Sequence, residues 1–164
     1  VYKRQYLKQI QGSLPQMTAS FPEQFHITLL FLGEVTEKQI LQIILALEKT
    51  EFSEFSLTLS GIGAFPSKAK PRVVWAGVEP SEEITALQGG VEGALSGFAR
   101  RKDKKFHPHI TLARVRQLQN PLTLSSVRIQ KTSFRVGQFC LMKSTLTPHG
   151  PVYEKLREFR GDAA

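Results

Sequence analysis

Apolar positions along this chain recur in two periods, and the switches between them mark its elements. Ile40, Leu41, Ile43, Ile44 and Leu47 fall on one face at helical spacing, with Thr36 placed as an N-cap, so the pattern predicts a helix over 38–49. A second stripe of Ile84, Leu87, Val91, Leu95 and Phe98 follows Pro80 and Ser81 and predicts a helix over 82–98, weakened by Gly89, Gly90 and Gly93. Residues 2–11 read as part of a helix ended by Gly12 and Pro15. Elsewhere the period is two, or the run is continuously apolar. Strands are predicted over 25–32, 55–59, 73–78, 109–115, 133–145 and 152–159, with a short extended piece over 17–21. Gly61, Gly63, Pro66 and Pro71 read as a loop, and the polar segment 116–131 is expected to contain a short helix. This order predicts an α+β fold. Two pseudo-symmetric, antiparallel-rich sheets would face a central cleft with helices outside, in one bilobal domain spanning 1–164.

Two of the predicted strands carry the same four-residue word. His26-Ile27-Thr28-Leu29 and His109-Ile110-Thr111-Leu112 both sit in apolar, β-branched surroundings. Strand side chains alternate faces, so His26 points with Thr28, and His109 with Thr111. His and Thr are costly on a buried face unless partnered, and duplicating them together points to a shared task. Two imidazoles that titrate near neutral pH, with two hydroxyls, are the minimal equipment for acid–base chemistry at a phosphate.

Composition bounds the setting. At 164 residues, with 41% hydrophobic and 22% charged residues, the chain is long enough for a sizeable core and has no polar low-complexity tract. No apolar run is long enough to span a bilayer, and the first residues lack the layout of a signal peptide. A single cysteine, Cys140, excludes an internal disulfide and reads as core filler. The expectation is a cytoplasmic, monomeric protein without membrane contact. The net charge of +8 lies wholly in the second half: residues 1–82 hold 8 Lys/Arg against 8 Asp/Glu, and residues 83–164 hold 14 against 6. The densest run, Arg100-Arg101-Lys102-Asp103-Lys104-Lys105, leads into the second histidine word. It reads either as a solvated loop or as an attractor for a polyanion.

The flanking residues extend the likeness to a known family. His26-Ile27-Thr28-Leu29 followed by Phe31-Leu32-Gly33-Glu34 resembles the first signature of the 2H phosphoesterases, specifically the RNA 2′,3′-cyclic phosphodiesterases of the LigT-like group, also called 2′-5′ RNA ligases. Phe106-His107-Pro108-His109-Ile110-Thr111-Leu112-Ala113-Arg114-Val115 resembles the second. Gly63-Ala64-Phe65-Pro66, the stretch from Pro71 to Val78, and Gly150-Pro151-Val152-Tyr153 are also similar to family segments, in order, from about residue 14 to 160. Members begin with a strand of the kind Arg-Leu-Phe-Val-Ala. This chain starts inside or just before the helix that follows it, so a sheet edge or core face is expected to lie open.

The resemblance implies a metal-independent hydrolase of RNA or nucleotide 2′,3′-cyclic phosphates, with no cofactor and no metal, reversible as 2′-5′ ligation. It implies His26 as the acid toward the 3′ oxygen and His109 as the base, with Thr28 and Thr111 on the non-bridging oxygens. It also implies Arg114 as a phosphate contact and Phe31 as a base-stacking residue. Both lie five residues past their histidine, an odd offset that turns them from the cleft unless a bulge or the strand's end restores them. For Phe31 a core position is an equal alternative.

His107 reads as a partly exposed loop residue or a substrate contact, and Arg72 as a candidate phosphate contact. His149 sits in a Pro/Gly turn at the surface. Trp75 and Phe65 read as core, although a ring at the cleft rim could stack a base. Two rivals stand beside the enzyme: a non-catalytic RNA- or nucleotide-binding module using the same cleft, and a metal site of His26, His107 and His109. The second suffers from an unfamiliar ligand spacing and the lack of an accompanying Cys or acidic residue.

Overall fold

A computed structural model describes residues 2–98, 105–118, 124, 127–148 and 150–163. Among the described residues three α-helices form where the apolar stripes require them. They are α1 (Tyr2–Gly12), α2 (Glu37–Leu47) and α3 (Glu82–Ala94). A capping box opens α2: Thr36 accepts from the Gln39 backbone N–H, while the Gln39 side chain accepts from Thr36 N–H at 2.9 Å. Ser81 caps α3 by accepting from Ile84 N–H. That helix stops at Ala94, short of the expected 98, in the glycine-rich stretch that weakens it. No helix among the described residues is long and apolar enough to cross a membrane.

Among the described residues seven strands follow the order β1 (Met17–Ser20), β2 (Phe55–Phe65), β3 (Val73–Val78), β4 (His109–Leu118), β5 (Ser133–Val136), β6 (Gln138–Thr147) and β7 (Gly150–Arg160). A five-stranded sheet has the order β1-β4-β3-β2-β5, antiparallel at β1–β4, β4–β3 and β3–β2. A second sheet is the antiparallel β6–β7 hairpin. The class is mixed α+β with antiparallel sheets, as the periodicities require.

Contacts group the chain into two compact units. The first comprises Val1–Thr28, Leu57–Glu79 and Pro108–Phe134, and the second Leu29–Ser56, Pro80–His107 and Arg135–Ala164. Each draws on three separate stretches, so neither is an N- or C-terminal half. In the first, Leu7 and Ile10 of α1 join Leu59, Val74, Ala76, Ile110, Leu112, Ala113 and Val115 in one core. In the second, α2 and α3 bury Ile43, Leu47, Ile84, Leu87 and Val91. There the ring of Phe139 on β6 stacks on Phe159 of β7 at 4.8 Å.

Several other predicted boundaries change. The 25–32 segment is not a continuous strand. Pro22 and the bends at Glu23 and Gln24 carry the chain off the sheet, and it returns through an isolated bridge at Ile27. The run 133–145 is two strands in different sheets, broken at Gly137, where a Cβ would meet the Glu54 carboxylate at 2.6 Å. The expected loop after residue 59 instead continues β2 to Phe65. Gly63 serves there not as a turn but as bare backbone on which the Trp75 indole lies. The final strand begins earlier than expected, at Gly150. His149, residues 100–104 of the basic run, and residues 119–123, 125 and 126 of the segment expected to hold a short helix lie outside the described residues. Lys105 is exposed. Cys140 is half-buried on β6, and burial pushes its thiol up from the ordinary value.

Because a methyl group at residue 63 would occupy the space of the indole, Gly63→Ala is expected to destabilise the protein by roughly 1–3 kcal/mol. Denaturant unfolding reads this directly, and an unchanged midpoint would remove the packing role assigned to that glycine.

Candidate active site

Each histidine word has one wall of apolar side chains and one of polar ones. Ile110 is buried at 4% exposure in the core beneath the sheet, and Ile27 packs against the same cluster. Alternation then sends His26, Thr28, His109 and Thr111 to the opposite face. The backbone bridge between Ile27 and Ile110 is antiparallel. One step to either side of it, His26 stands opposite Thr111 and Thr28 opposite His109. Side chains diagonal across such a pairing have Cβ atoms about 7 Å apart, a gap that a phosphate between two ring nitrogens can fill.

His109 is positioned by aromatic rings. Its imidazole meets Phe65 edge-on at 5.1 Å and Trp75 at 5.9 Å, and those two rings pack together at 5.2 Å. Register explains the arrangement. Trp75 of β3 pairs with Thr111, and Gly77 with His109, so the indole shares their face. Gly63 on β2 pairs with Trp75 and leaves its ring room to lie across the sheet. At Gly77 a Cβ would meet Ser60 Oγ at 2.6 Å and the indole at 3.2 Å.

Arg114 joins this face although it lies five residues past His109. Val73, Trp75 and Gly77 alternate regularly along β3 and therefore share one side of the sheet. Their partners on β4 are Arg114, Thr111 and His109, because the register slips between Val74 and Trp75. The extra residue on β4 is a bulge at Leu112 and Ala113. It restores Arg114 to the histidine side, the condition the odd offset imposed. The Arg114 Nε is buried without a hydrogen-bond partner among the described residues, and none of the described ion pairs involves this arginine.

The electrostatics of His26 follow from this proximity. His26 keeps an exposed face, yet its pKa is held below the ordinary imidazole value. Burial by surrounding atoms is the largest downward cause, and the positive charges of Arg114 and His109 add to it. The Gln24 carbonyl opposes them by accepting from His26 Nδ1–H at 3.2 Å. A carbonyl only accepts, so this bond fixes the proton on Nδ1 and makes Nε2 the nitrogen that gains or loses one. Two imidazoles, two hydroxyls and a cation on one face suit an oxyanion. A cavity of about 300 Å³ opens beside His26, with Phe25, Phe134, Lys3 and Arg4 among its lining residues.

Five of the eight residues singled out in the sequence are thus brought together: His26, Thr28, His109, Thr111 and Arg114. Arg72 belongs to the same unit, but its side chain is exposed. Its backbone N–H donates to Phe65 and its carbonyl accepts from Val115. Phe31 and His107 fall in the other unit, both exposed. At 69% exposure Phe31 is not a core residue. Among the described residues no three His, Cys, Asp or Glu side chains cluster as metal ligands would.

The pattern of the family described as LigT like phosphoesterase matches residues 3–75 and 77–153, with one histidine word in each segment. The chain belongs to this family. The RNA 2′,3′-cyclic phosphodiesterase of Archaeoglobus fulgidus is 41% identical over 157 residues, covering 93% of this chain and 88% of its own length. The protein of the same name from Aeropyrum pernix is 39% identical over 146 residues, 84% of this chain and 82% of its own. A crystal structure from Thermus thermophilus superposes with a TM-score of 0.82 at 29% identity, covering 97% of this chain and 91% of that one. Family membership fits a face built to hold an anion between duplicated words.

Removing the positive charge of Arg114 takes away one cause that lowers His26. In Arg114→Leu the His26 imidazole is expected to titrate at higher pH than in the wild type, as followed by NMR on the ligand-free protein. An unmoved titration would place Arg114 away from His26.

Proposed function

We propose that this protein hydrolyses the 2′,3′-cyclic phosphate at an RNA or nucleotide end to a 2′-phosphomonoester, without a metal, using His26 and His109 as an acid–base pair. The observation that carries the reading is the antiparallel bridge at Ile27 and Ile110, which faces each histidine with the other word's threonine. The relatives' shared name supports the substrate class. The positive surplus in residues 83–164 supports a polyanionic partner.

In the proposed reaction a water attacks phosphorus and His109 takes its proton. The bond from phosphorus to the 3′ oxygen breaks, and His26 Nε2 gives that oxygen a proton. The products are a free 3′ hydroxyl and a 2′-phosphate. Thr28 and Thr111 donate hydrogen bonds to the non-bridging oxygens, and Arg114 balances the charge that builds there in the transition state. The lowered pKa of His26 suits a donor: the negative substrate brings a proton onto it, and the environment then favours releasing that proton. With the 5′ hydroxyl of a second RNA in place of water, the same steps make a 2′-5′ linkage: His109 takes the hydroxyl proton, and the bond to the 3′ oxygen breaks as His26 protonates it. The beta-bulge arginine and both histidine words thereby have work in one step, in a cytoplasmic enzyme acting on RNA ends.

The test is product analysis on a short RNA ending in a 2′,3′-cyclic phosphate, with excess chelator present. The expected product carries a 2′-phosphate, and His26→Ala or His109→Ala should each lose about 10²–10⁴-fold in rate. A double variant matching the wild type would overturn the assignment, and salt-sensitive RNA binding with no turnover would leave a binding module instead. The pH profile assigns the roles. If His26 is the acid, kcat/KM declines as His26 loses its proton, so Arg114→Leu moves the alkaline limb to higher pH. Movement of the acid limb instead would make His26 the base.

A further inference from the structure

Gln11 is a buried polar side chain at 8% exposure, near the end of α1 and surrounded by core. Its Nε2 donates one proton to the Pro22 carbonyl at 3.0 Å and the other to the Leu112 carbonyl at 2.9 Å. Both acceptors are at places where the sheet ladder fails. On this edge of β4 the pairing with β1 ends at Ser20 and Arg114 and resumes only at the bridge of Ile27 with Ile110. Residues 111–113 have no strand partner in β1 across that gap, and Leu112 is fully buried. Without Gln11 its carbonyl would be stranded in the core without a donor, which a buried backbone acceptor rarely tolerates. Leu112 is also a residue of the bulge that turns Arg114 to the histidine face. Pro22 opens the excursion from which the chain returns at His26.

We propose that Gln11 is a positioning residue for the phosphate site, its one carboxamide fixing both the β4 bulge behind Arg114 and the turn that delivers His26. The proposal rests on the site being the phosphate site described above. Gln11 touches no substrate. It acts through Arg114 and His26, so its loss would change the geometry of the charged groups as well as the stability of the fold. An apolar side chain of the same length keeps the packing but cannot donate.

The experiment compares Gln11→Met, Arg114→Leu and the double variant. In folded Gln11→Met, the His26 imidazole of the ligand-free protein is expected to titrate at higher pH than in the wild type, because Arg114 is no longer held toward it. Among the described residues, His109 also faces it, and Lys3, Arg4 and Glu23 line the cavity beside it; none of these is altered in the comparison. On a cyclic-phosphate RNA, kcat/KM is expected to fall up to about 100-fold. Adding Gln11→Met to Arg114→Leu should cost less than it costs the wild type, since the part of its effect that runs through the arginine is already lost. Unchanged titration and kcat/KM in folded Gln11→Met, or losses that simply add, would reduce Gln11 to a structural residue. Should Gln11→Met not fold, the same measurements on Gln11→Asn decide, because its amide is one methylene short of spanning the two carbonyls. If the wild type shows no turnover, the proposed function fails, while the titration still decides the role of Gln11.

Discussion

One backbone contact organises everything chemical in this protein: the antiparallel bridge of Ile27 with Ile110. It pins two copies of a four-residue word side by side and head to tail. Both isoleucines are drawn to the core cluster by burial, and the alternation of extended backbone then leaves the polar residues no face but the opposite one. The apolar positions of the word thus orient its histidines. A one-residue slip would exchange the two faces and bury the imidazoles in the core.

Strand β4 is where fold and site meet. Its inner side supplies Ile110, Leu112, Ala113 and Val115, all among the most buried residues of the first unit. Its outer side supplies His109, Thr111 and Arg114. A regular strand could not do both, because Arg114 falls on the wrong beat. The bulge at Leu112 and Ala113 shifts the phase by one and puts the guanidinium with the histidines. The interruption leaves the Leu112 carbonyl without a partner in β1, and the Gln11 carboxamide donates to it. The nearness of Arg114 to His26 is a consequence of the same phase shift.

Much of this was legible in the residues, and the reasons for the rest are physical. The helices followed from periodicity and caps, since local rules govern both. The repeated word named His26, Thr28, His109 and Thr111 because identical polar residues on apolar strands need a reason. The odd offset of Arg114 left a bulge or the strand's end as its routes to the histidine side, and the register of β3 with β4 supplies the bulge. By contrast, Gly61 and Gly63 read as a loop because glycine's absence of a side chain serves equally in a turn and beneath an indole. Only the register of β2 with β3 distinguishes the two. The break at Gly137 and the excursion at Pro22 depend on contacts distant in sequence, with Glu54 and Gln11. Nothing local marks Gln11 as more than a polar residue of a helix, and nothing local says that Phe65 and Trp75 hold the ring of His109.

The central claim is that both imidazoles address the same phosphate from one continuous face. The most direct measurement is a crystal structure of the protein soaked with a 2′-phosphorylated nucleotide. A ring nitrogen of His26 and one of His109 are predicted to lie within hydrogen-bond distance of oxygens on the same phosphorus, with the hydroxyls of Thr28 and Thr111 beside them. A phosphate held by one histidine while the other ring turns away from it would contradict the account.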